Sequence, residues 1–116
     1  MPVDLSQLQQ LPLKPSIPFQ KFSTTIDGTT YVFNLRWNTT DAAWYFDLLD
    51  QDENPIVSGV KIVLGVALGR RSSDARMPRG AFMASDLMNT GKDAGLDDLG
   101  TRVAVYYYPF EQWFAD

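Results

Sequence analysis

A chain of 116 residues and 13.1 kDa makes one ordinary domain and is too short for two. With 45% hydrophobic residues and fifteen aromatics (three Trp, five Tyr, seven Phe) it can build a packed core, and disorder does not fit most of it. Ten Lys and Arg against fourteen Asp and Glu give a formal charge of −4, which argues against a nucleic-acid binder with a basic face.

Cysteine and histidine are both absent. That excludes disulfides, zinc ribbons, thiolate or imidazole metal sites, and nucleophiles that rely on Cys or His. Any enzyme would have to run on carboxylates, Lys, Tyr or Ser, so none is expected, and neither is a cofactor. No stretch approaches the roughly 18–20 apolar residues of a membrane span. The opening MPVDLSQLQQLPLK carries Asp4 early and no basic segment ahead of an apolar run, so it does not read as a signal peptide. Synthesis in a cytoplasm is expected.

Residues 1–18 hold four of the seven prolines (Pro2, Pro12, Pro15, Pro18), too close together for a helix or a central strand. The stretch reads as an extended arm with Leu5, Leu8, Leu11 and Leu13 as apolar anchors. It either lies across its own domain or docks on a neighbouring subunit.

From Phe19 the pattern has period two. Phe22, Thr24 and Ile26 alternate with Lys21, Ser23 and Thr25, and Asp27-Gly28 follows, a strong hairpin signal because both turn positions favour positive φ. On the return strand Tyr31, Phe33, Leu35 and Trp37 point one way, and Thr30, Val32, Asn34 and Arg36 the other. After the polar turn Asn38–Asp41 a third strand puts Trp44, Phe46 and Leu48 inward, ending in the acidic turn DQDENP. Residues 19–50 are thus predicted to be a three-stranded antiparallel meander.

The run Ile56–Leu68 is apolar almost throughout and β-branched, with Gly59 and Gly65 inside it. It predicts two short strands, 56–58 and 61–68, bending at Gly59. A loop with four arginines follows, then a strand over 81–88 with Phe82 and Ala84 inward, a polar loop over 89–100, and a last strand over 101–108 stopped by Pro109. Phe110, Trp113 and Phe114 stand at i, i+3, i+4, the spacing of one helical face. About seven short strands with polar turns predict an all-β domain, a small antiparallel barrel or sandwich over 19–108, with an arm over 1–18 and a helical or irregular tail over 109–116.

Asp93, Asp97 and Asp98 invite a calcium reading, but match no calcium-loop spacing, and capping of loop amides explains them better. Asp47, Asp50, Asp52 and Glu53 offer carboxylates for glycoside hydrolysis, yet they sit in and beside one turn, where acidic residues serve solubility and turn bonding. Arg70, Arg71, Arg76 and Arg79 suit an acidic partner or an acidic turn of another copy, or a solvated loop. Trp37, Trp44, Trp113 and the Tyr106–Tyr108 run raise a carbohydrate-binding module for host surface glycans. The strand register makes Trp37 and Trp44 core residues, and an exposed Trp/Phe/Tyr patch more often marks a protein interface.

Residues 19–108 resemble the baseplate plug family of contractile-tailed bacteriophages. The likeness is carried by TTYVFNLRWNTTDAAWYFDLLDQDENPIVSGVKIVLGVAL and by the closing stretch GLDDLGTRVAVYYY. Both the arm and the tail PFEQWFAD fall outside it. The resemblance implies an oligomeric structural virion protein of the tail baseplate, on the tail axis near the tube–spike junction, with tail-tube, hub or spike neighbours and no catalytic role. Copy number would be three or six, between a six-fold tube and a three-fold spike. In that setting the interface is expected at Leu5, Leu8, Leu11, Leu13, Phe110, Trp113 and Phe114, with Arg70, Arg71, Arg76 and Arg79 meeting acidic surfaces.

Overall fold

The period-two stretches form strands because alternate side chains on a pleated strand face opposite sides, so one face of each can be buried. A computed structural model describes residues 8–69 and 74–109. Its strands are β1 (Gln9–Gln10), β2 (Phe19–Ile26), β3 (Thr29–Asn38), β4 (Ala43–Leu49), β5 (Pro55–Lys61), β6 (Ala81–Asp86) and β7 (Val103–Tyr108). They make two antiparallel sheets, β2-β3-β4-β5 and β1-β7-β6, and the strands do not close into a barrel. Among the described residues there is no helix, so none is long and apolar enough to cross a membrane.

The meander is built as its sequence predicts. Asp27 and Gly28 both have positive φ, 52° and 80°, the two-residue turn whose twist matches its flanking strands. Phe22 pairs with Phe33 and Phe33 with Leu48 across the sheet. Asp50 shapes the next turn, its carboxylate accepting the Asp52 and Asn54 amides at 2.9 and 2.8 Å.

One core lies between the sheets. Phe33 stacks on Phe22 with centroids 5.0 Å apart and meets the edge of Phe82, on the other sheet, at 5.5 Å. Phe82 also packs against Phe46 and Tyr107. Trp44 is fully buried, with Trp37 edge-on at 5.6 Å, so both tryptophans serve the core.

The apolar run after Pro55 departs from expectation. It is not two strands over 56–58 and 61–68: a single strand runs from Pro55 to Lys61, with register shifts against β4 and Gly59 at φ 69°. Residues 62–69 are irregular and cross from one sheet to the other. They leave β4 through the Ile62 amide, which donates to the Trp44 carbonyl, and reach β6 where Leu68 donates to the Phe82 carbonyl at 2.8 Å. Within this crossing only Ile62 and Leu68 are buried, Val63, Leu64 and Ala67 are half-buried and Val66 is exposed, and a run this uniformly apolar carries no period that marks a strand. The strands expected over 81–88 and 101–108 end and begin two residues inside those limits.

Candidate assembly surface

The register of β1 on β7 decides where the chain enters and leaves the fold. Gln9 pairs with Tyr107 and Gln10 with Tyr106, so one step further Leu8 stands opposite Tyr108. The described chain therefore begins and ends on adjacent strands at one pole of the molecule. The β2–β3 hairpin turn, the acidic turn 50–54 and the loop 74–80 gather at the same pole.

Tyr107 ties that pole together. Its hydroxyl donates to the Asp27 carboxylate and accepts the Gly80 amide at 2.8 Å. Burial, with the carboxylate beside it, pushes the Tyr107 phenol well above its ordinary range. A Cβ on Gly80 would meet the Tyr108 carbonyl oxygen at 2.0 Å and the Tyr107 hydroxyl at 2.6 Å, so only glycine fits. Tyr31 donates to the Arg76 carbonyl at 2.8 Å, pinning the other side of the loop.

Arg76 turns inward on its own chain. Its guanidinium donates to Asp74, to Asp50 at 2.9 Å and to the Pro55 carbonyl at 2.8 Å. These contacts hold the Asp74 carboxyl down at about 2 and raise Arg76 in turn. Of the arginines expected at an interface, Arg76 thus meets an acidic turn of the same chain, and Arg79 is exposed beside it. Arg70 and Arg71 lie outside the described residues.

The apolar anchors divide in the same way. Leu11 is 5% exposed in the chain's own core, with its amide on the Val105 carbonyl, and Leu13 packs against that core. Leu11 therefore has no side-chain surface left for a neighbour: proline keeps this stretch out of a helix, and its backbone instead pairs with β7. The Gln20 amide fastens the segment to β2, donating to the carbonyls of Lys14 (2.7 Å) and Ile17 (3.1 Å) and accepting the Lys14 amide (3.0 Å). Leu8 is half-buried where the chain enters. Leu5, Phe110, Trp113 and Phe114 lie outside the described residues.

The opposite pole is organised by Arg102, which sequence reasoning did not single out. It pairs with Asp86 and Asp98, each at 3.2 Å, and donates to the carbonyls of Lys92 and Asp93, each at 2.9 Å. Asp98 also accepts the Gly95 amide, Asp93 the Leu64 amide, and Asp97 the Ser16 hydroxyl. These carboxylates fix loops, and among the described residues no group of three or more stands ready to hold a metal. Asp47 likewise binds Arg36 at 3.0 Å and the Gly59 amide at 2.8 Å.

Two apolar surface features were also missed. Ile17, Phe19, Leu87 and Met88 are exposed, Phe19 to 68%. Phe19 shares its parity with Lys21, Ser23 and Thr25, so an aromatic on the polar face was the available signal. Along β5, a groove of about 480 Å³ runs between Val57–Lys61 and Val63–Gly69, its wall mainly valine, alanine and leucine. No periodic signal marks it, because one of its two walls comes from the irregular crossing.

No curated protein sequence matches the chain. The family model described as cyanophage baseplate Pam3 plug gp18 matches residues 8–110, nearly all of the sequence. The chain belongs to this cyanophage baseplate plug family, as a structural protein of the virion's tail baseplate.

Proposed function

We propose that the protein is an oligomeric plug on the axis of a contractile tail, near the tube–spike junction, assembled from three or six copies. One observation carries the oligomeric reading: Gln9 pairs with Tyr107, so the described chain begins and ends on adjacent strands. Paired extensions at one pole can bury area against a neighbour without disturbing the two-sheet body. Stable interfaces take about 600–1,000 Å² per side. Phe110, Trp113 and Phe114 supply apolar anchors there, and Leu5 extends the same surface. With Arg76 engaged by Asp50 and Asp74, Arg70 and Arg71 carry the loop's charge toward acidic neighbours on the tube, hub or spike.

Size-exclusion chromatography with light scattering on the full chain, followed by electron microscopy, tests this. A ring of defined copy number is expected. Deleting residues 110–116 should reduce association while leaving the melting transition nearly unchanged. A full chain that stays monomeric at every concentration, or a truncated chain that unfolds, would overturn the reading.

A further inference from the structure

The apolar groove along β5 needs an occupant. Its walls are Val57 and Val60 on one side and Val63, Val66, Ala67 and Leu68 on the other, and Val66 is 48% exposed at the rim. The lining's one cation, Lys61, is already paired with Asp41 at 3.1 Å, so the groove is read by its apolar walls. The segment 110–116, FEQWFAD, is their apolar complement, with three aromatics at i, i+3, i+4. Three aromatic side chains burying 150–250 Å² each would cover roughly 450–750 Å², close to one side of a stable interface.

Position puts the groove within the tail's reach on its own or on another subunit. The segment leaves at Pro109, beyond Tyr108, which pairs with Ala81 on β6; the groove lies beyond the other edge of β6, where Leu68 bonds to Phe82. Seven residues span up to about 23 Å when extended, so length alone does not prevent a tail from reaching its own groove. Met77 packs beside Gly69 at the groove mouth and Gly80 packs on Tyr108 at the tail's exit in every copy. A tail seated in a neighbour's groove supplies the interface between copies that the oligomeric reading requires, which a tail seated in its own groove does not.

We infer that the β5 groove is the receptor for residues 110–116 of a second copy, a head-to-tail contact that closes into a ring. This rests on the oligomeric reading above and names the surface that the tail engages. Each subunit gives one tail and receives one.

The test uses full-length variants. Val66→Glu at the exposed rim and Ser58→Glu on the facing wall each place a carboxylate in the groove, and both sites are open enough to keep the fold. A Trp113→Ala/Phe114→Ala chain keeps the groove and loses the tail anchors. Each variant alone should associate at least tenfold more weakly by concentration-dependent light scattering. Mixed one to one, the Val66→Glu chain and the tail variant should form a 1:1 dimer and nothing larger, since only one intact tail–groove pair remains. Assembly of both groove variants like the unmodified chain would overturn the groove as receptor while leaving the oligomer standing. An unmodified chain that is itself monomeric would remove the oligomeric reading beneath it.

Discussion

The hydroxyl of Tyr107 donates to the carboxylate of Asp27, a residue 80 positions earlier, and so locks the last strand onto the first hairpin turn. The same oxygen accepts the Gly80 amide. Tyr107→Phe keeps the ring in the core but removes the hydroxyl that donates to the Asp27 carboxylate and accepts the Gly80 amide. We expect a loss of about 1–3 kcal/mol, measured by urea unfolding.

Alkaline pH should act on the same group. The Tyr107 phenol is raised by burial and by Asp27, and Tyr31 is raised as well, so the folded state holds both protons more tightly than the unfolded chain. That contribution is complete below the unfolded value of about 10 and declines as pH rises through the folded values. Melting temperature should therefore fall above about pH 10, and Tyr107→Phe should flatten the decline. An unchanged slope would separate the phenol from alkaline stability.

Acid should act through the carboxylates. Asp74 is held at about 2 by Arg76; Asp50 is lowered by the Asn54 amide and side chain and by Arg76; Asp98 is lowered by Arg102 and the Gly95 amide. Asp86 is also lowered, first by the Thr90 hydroxyl and then by loop amides. Lowered groups stabilise the fold above their unfolded value, so stability should be lost as pH falls from about 4 toward 2. Asp86→Asn should lower the melting temperature at pH 7 by more than it does at pH 2, as read by circular dichroism.

Phe82 stands where the two sheets meet, touching Phe33, Phe46 and Tyr107. Phe82→Ala should cost about 3–5 kcal/mol. Phe22, half-buried near the rim, should cost less on the same substitution. Equal losses in denaturant titrations would contradict the placement of the core.

Gly80→Ala tests steric fit rather than backbone conformation. The added methyl would overlap the Tyr108 carbonyl and the Tyr107 hydroxyl, so β6 and β7 would have to part. A loss of about 1–3 kcal/mol or more is expected. Hydrogen exchange should quicken at Ala81 and Tyr108 before it does in the meander.

The meander was legible because its chemistry is local. Period two and Asp-Gly define each strand and turn within a few residues, so Tyr31, Phe33, Leu35 and Trp44 could be assigned to the core directly. The segment Ile62–Leu68 was not, since a run apolar at almost every position lacks the alternation that separates strand from crossing. For Leu11 the pattern marked a residue to be covered but not which molecule covers it; the answer lay in a pairing with Val105, far along the chain. Arg102 was opaque for the same reason: its partners Asp86, Lys92, Asp93 and Asp98 converge only once the loop is folded.

The sheet order β1-β7-β6 bears on how the chain acquires its shape. The four-stranded sheet is made of consecutive hairpins and can form as soon as residue 61 has left the ribosome. The smaller sheet joins Gln9 to Tyr107 and must wait for nearly the whole polypeptide. Such long-separation pairing is the slow kind, so the newborn chain carries a finished meander with an uncovered greasy face until its final strand arrives.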